Sequence, residues 1–137
     1  MALLLLAPLA CRPGSSPPAQ QPRPAIPKEA QDEAAALFVS RCQSCHGAGG
    51  RGDGPAAASM RPRPRNFTDR MWQSNVTDAR IDRIIVHGGA AVGKSPLMVP
   101  NPDLVAKPLL VAGLRELVRS FALTGATTST PDKEQPQ

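Results

Sequence analysis

Along the middle of this chain apolar residues recur at helical spacing, and no period-two alternation persists as a strand would require. Pro27-Lys28-Glu29 suits a helix start, with proline early and an acid in the first turn. Ala30, Ala34, Leu37, Phe38 and Arg41 then follow at that spacing toward residue 46. Glycines at 47, 49, 50, 52 and 54 end the segment and open a loop. A second helix is expected after Asn75-Val76-Thr77-Asp78, with Thr77 as N-cap and Gly88 as stop. Its Ile81, Ile84 and Ile85 share one face, with Asp82 and Arg83 toward water. A third helix is expected near Gly113 to Ala122, burying Leu114, Leu117, Val118 and Phe121 against a polar face of Arg115, Glu116 and Arg119. Leu104 to Val111 is expected to add a helical turn interrupted by Pro108. The pattern predicts an all-α fold.

The two ends read differently. Residues 1–10 are an apolar run too short to span a bilayer, which takes about 20 residues. They read as a secretory signal peptide, and Leu9-Ala10-Cys11 is similar to the processing site of bacterial lipoproteins. Residues 11–27 are a proline-rich linker, free or lipid-anchored at Cys11, able to reach roughly 50 Å when fully extended. Residues 28–124 form the folded domain, and the polar residues 125–137 are expected to be a disordered tail. These features predict an exported protein, periplasmic and held to the membrane as a lipoprotein.

Composition sharpens the picture. With three Phe, one Trp and no Tyr, the chain has thin means for a core of this size. Something else has to fill the middle.

Cys42-Gln43-Ser44-Cys45-His46 supplies a candidate. Two cysteines three apart with a histidine directly after the second read as a c-type haem attachment site. One helical turn sets both thiols on the same side, where each can form a thioether with one vinyl group. His46 then lies where it can give the iron its proximal imidazole. Zinc fits poorly, because it needs about four ligands and only Cys11 and His87 remain elsewhere. A redox dithiol would need a strand–helix–strand setting, which the flanks lack. With Cys42 and Cys45 taken, Cys11 is the odd cysteine, and an acyl anchor accounts for it.

Gly88-Gly-Ala-Ala-Val-Gly93-Lys94-Ser95 matches the phosphate-loop pattern letter for letter. Its context is wrong. An amphipathic helix precedes it instead of a buried strand, and Pro96, Pro100 and Pro102 follow where a helix should begin. No nucleotide is expected there. As a ligand loop the segment makes better sense, since Met98 is held between prolines and can present a thioether to iron. His87 is the competing sixth ligand, although a histidine at a helix C-terminus is often there for the dipole. Met60 and Met71 read as filler or surface.

The arginines at 51, 61, 63, 65 and 70 outweigh Asp53 and Asp69. Nucleic acid is not favoured for so short a strip with one nearby aromatic, Phe67. Haem propionates or an acidic redox partner fit it better.

Taken from Glu29 to Leu123, the sequence resembles the class I c-type cytochromes, small bacterial electron carriers with one His/Met-ligated haem. The likeness rests on Cys-Gln-Ser-Cys-His-Gly at 42–47, Gly52-Asp-Gly-Pro55, Pro64-Arg-Asn-Phe-Thr-Asp69, the stretch from Gly88 to Met98, and the final helix. The resemblance implies a small all-α cytochrome c-like domain of three or more helices around a covalently attached haem. Its first and last helices would cross, bringing Phe38 near Val118 and Phe121. It implies that Cys42 and Cys45 attach one haem c, that His46 is proximal and that Met98 is distal. No carboxylate pair, nucleophile–base set or substrate signature appears, so the expected function is one-electron transfer between redox partner proteins rather than enzymatic turnover. The alternative is a haem sensor, or a haem subunit of an oxidoreductase, with a displaceable sixth ligand.

Overall fold

The computed structural model describes residues 25–124. The leader, Cys11, most of the proline-rich linker and the tail therefore lie outside the described residues. Among those described there are helices and turns and no strand, so the fold is all-α as expected.

Helix α1, Lys28–Leu37, leads into a π-helical turn, Phe38–Cys42, and on into the short α2, Gln43–His46, which stops at Gly47. The chain is continuous to the attachment motif, as the spacing predicts. The π turn is new: the N–H of Gln43 reaches the carbonyl of Phe38, five residues back, an insertion typical of functional positions. After a 3₁₀ turn at Pro55–Ser59 comes α3, Arg70–Asn75, capped by the Asp69 side chain on the Trp72 amide. Sequence reading missed this helix.

Helix α4, Asp78–His87, begins under the Thr77 side chain and ends at Gly88, as expected. Helix α5 runs Pro108–Thr124, longer than the Gly113-to-Ala122 span predicted from sequence. Pro108 does not interrupt a helical turn; it starts the helix, where a missing N–H costs nothing and a fixed φ helps.

The core forms where α1 crosses α5. Gly113 permits the approach: a Cβ there would stand 2.9 Å from both the Ala30 carbonyl oxygen and the Ala34 Cβ. Phe38 and Phe121 meet at the crossing with ring centroids 5.4 Å apart, a tilted pair worth about 0.5–1.5 kcal/mol beyond burial. Leu104, Leu110, Val111, Leu114 and Val118 complete this cluster with Ile81, Ile85 and Val86 of α4.

The polar faces need correction. Asp82 does not simply face water; its carboxylate takes a 2.7 Å hydrogen bond from Arg115 of α5. Arg119 is likewise half-buried, donating to Asp78, to the Gln73 side chain and to the carbonyls of Gln73 and Val76. The charges on α4 and α5 that read as solvated faces tie the two helices to each other and to α3.

Candidate haem site

Helix α2 ends in the cysteine–histidine motif because glycines follow it and fold back underneath. The Gly52 N–H donates to the His46 carbonyl at 2.8 Å and the Gly54 N–H to the Cys45 carbonyl at 3.2 Å, satisfying orphan groups of the last turn. The Phe67 N–H donates to the Gly50 carbonyl at 2.7 Å, which draws the strip 61–67 against the same loop.

His46 is 7% exposed and is the one buried polar or charged residue among those described. Its Nδ1 lies 3.2 Å from the Arg65 carbonyl oxygen, to which it donates as the neutral tautomer. Engaging Nδ1 leaves Nε2 as the nitrogen free to bind a metal. Burial pushes the imidazole below its ordinary pKa, opposed by the Arg65 hydrogen bond, a shift toward the uncharged form a metal requires.

Beside His46 opens a small apolar cavity of about 40 Å³. Phe38, Phe67, Leu104, Leu114 and Val118 are among its apolar walls, and Cys42 and Met98 also line it. The structure thus brings His46, Cys42 and Met98 to one space, from α2, the preceding π turn and the loop after α4. Cys45 is half-buried one residue before His46, and neither motif cysteine is taken up by a disulfide. Burial raises the Cys42 thiol pKa, with Arg41 pulling against it.

His87 is exposed and is not among the residues lining the cavity. Met71 is 76% exposed and Met60 half-buried, both away from it. Asn101 also lines the cavity, although nothing in the sequence singled it out.

The donor set fits a c-type haem. Two thiols, one orientated imidazole and one thioether accompany a pocket whose other walls are apolar apart from Asn101. The Cytochrome c family model matches residues 31–107. The chain belongs to the cytochrome c family. Its cofactor is therefore haem c, attached through Cys42 and Cys45, and the cytochrome works in haem-based electron transfer with redox partner proteins. No curated protein matches the chain.

Local geometry accounts for the phosphate-loop look-alike. Gly88 is the stop of α4, Ala90–Val92 a 3₁₀ turn, and Gly93 takes a left-handed φ of 70° before the chain reaches Met98. In this cytochrome the glycine–lysine–serine run shapes the approach to the Met98 loop.

Proposed function

We propose that this cytochrome is a class I, one-electron carrier with His46 and Met98 as axial ligands, and that it is not an enzyme. The observation that carries the reading is the shared cavity: an anchored imidazole and a thioether line one apolar space from separate elements. Bound there, haem c supplies the one-electron couple of its iron.

The protein's own residues do the rest. Arg65 lends its carbonyl to fix the tautomer and orientation of His46. Phe38, Phe67, Leu104, Leu114 and Val118 keep water from the metal face. Met98 brings a soft donor that favours the reduced metal and raises the potential.

The arginine strip serves recognition. Arg51, Arg61, Arg63, Arg65 and Arg70 are all exposed and would steer an acidic redox partner. Association rates should fall with salt as the Debye length shrinks from about 10 Å at 0.1 M to about 3 Å at 1 M. An exported, periplasmic protein tethered through an acylated Cys11 completes the proposal. No helix among the described residues is long and apolar enough to cross a membrane.

Carbon monoxide binding to the reduced protein at neutral pH tests the carrier reading. A firm Met98 ligand keeps the iron closed and the spectrum unchanged. Ready binding would instead support a sensor, or an oxidoreductase subunit, with a displaceable sixth ligand.

A further inference from the structure

The loop carrying Met98 poses a mechanical question. Its neighbours on either side, Leu97 and Val99, are 51% and 65% exposed, so hydrophobic burial holds the loop only weakly beside the ligand. Polar ties take over. The Gly89 N–H donates to the Met98 carbonyl at 2.8 Å. Three residues on, Asn101 binds the end of α4 twice: its backbone N–H donates to the Val86 carbonyl at 2.9 Å and its Nδ2 to the Ile85 carbonyl at 2.8 Å. These are carbonyls of the last helical turn, which otherwise lack partners.

Gly88 lets the loop lie flat on the helix end. Its φ is +75°, and a Cβ there would stand 2.7 Å from the Met98 carbonyl oxygen and 2.9 Å from the Pro100 nitrogen.

The other side of Asn101 faces the attachment motif. Its Oδ1 accepts from Arg41 Nη1 at 3.3 Å, and the same nitrogen contacts both Asp103 oxygens at 2.9 and 3.0 Å. Arg41 directly precedes Cys42 in the chain. A line of polar contacts therefore runs from the covalent attachment through Arg41 and Asn101 to the end of α4, past the cavity that Cys42, Met98 and Asn101 all line.

We propose that Asn101 and Arg41 are positioning residues for the sixth ligand: they clasp the Met98 loop to the C-terminus of α4 and to the attachment helix, so that the thioether stays on the iron. This rests on the reading that Met98 is that ligand. Losing the clasp leaves Met98 in place but lets its loop open, and an added ligand then competes better.

The test uses the full haem-loaded protein and imidazole as the probe. Oxidised wild type, Asn101→Ala, Asn101→Asp and Arg41→Ala are titrated with imidazole while the weak far-red sulfur-to-iron band is followed. Asn101→Ala should bind imidazole about tenfold more tightly, in keeping with the loss of two side-chain hydrogen bonds. Asn101→Asp, which keeps an acceptor for Arg41 but sets a carboxylate oxygen against the Ile85 carbonyl at the negative end of α4, should bind imidazole at least as tightly as Asn101→Ala. Arg41→Ala changes an exposed residue, and should give about a threefold effect even if Asn101→Ala does not mature. A wild-type band with imidazole affinities unchanged across the variants overturns the clasp alone, even if their melting temperatures drop, since that marks a merely structural role. A wild type without the band overturns Met98 ligation and the clasp with it.

Discussion

The rings of His46 and Phe67 lie stacked, with centroids 4.4 Å apart and planes 15° from parallel. Phe67 also meets Trp72 at 5.7 Å and Phe121 at 6.1 Å, so one side chain joins the imidazole to the core at the end of α5. Phe67→Ala should therefore destabilise the protein by about 3–5 kcal/mol, the range for removing a buried aromatic. Phe67→Leu should lose less than half as much. Denaturant unfolding of the haem-loaded variants measures both, and a loss below about 1 kcal/mol for the alanine would contradict this role.

Covalent attachment follows from the thiols at Cys42 and Cys45. Acidified organic solvent should leave haem on the denatured wild type and extract it from the Cys42→Ala, Cys45→Ala double variant. Each single variant should keep one thioether. Free extraction from the wild type would contradict attachment.

Arg119 makes hydrogen bonds of 2.7–3.0 Å to Asp78, Gln73 and Val76. Removing it takes the 2.7 Å ion-pair partner from a half-buried carboxylate, which keeps Arg115 at 3.7 Å, and the donor from two backbone carbonyls. Arg119→Ala should cost about 2–3 kcal/mol, less than a fully buried pair because water still reaches both partners. Arg119→Lys should recover only part, since a single ammonium cannot reproduce the guanidinium fork. Urea unfolding midpoints at constant slope would show it.

The Arg41 hydrogen bond holds the Asp103 carboxyl below its ordinary pKa, helped by the charges of Arg41 and Lys107 against a smaller desolvation effect. The sign follows directly. A carboxyl depressed in the folded state adds stability above its unfolded pKa of about 3.9, and loses it as pH falls through the lower folded value. The Arg41–Asp103 contact should therefore persist through neutral and mildly acid pH and fade only below about pH 4. An NMR titration of the Asp103 carboxyl should show the low value in wild type and a return toward the ordinary one in Arg41→Ala.

What the sequence disclosed was local. The attachment motif is five consecutive residues, and the ends of α4 are set by Thr77 and Gly88 within a turn of the helix they bound. Contacts made at a distance were hidden. Helix α3 has six residues and no apolar period, and Arg119 from α5 holds its Gln73 carbonyl and the carbonyl of Val76 just beyond its end. Asp82, Arg115 and Arg119 occupy positions that read as an exposed face, because a helix face turned to water and one turned to an oppositely charged helix carry the same residue types. The π turn at Phe38–Cys42 shifts the helical phase without any residue that marks it. Asn101 needed its partners at Ile85, Val86 and Arg41 to be seen at all.

The most direct test of His46/Met98 electron transfer is the weak far-red sulfur-to-iron charge-transfer band of the oxidised protein, recorded for wild type, Met98→Ala and His87→Ala. The band should be present in wild type and in His87→Ala and absent from Met98→Ala. The last variant should also show a lower potential and an iron open to added ligands. A wild type without the band, together with loss of axial ligation in His87→Ala, would contradict the assignment.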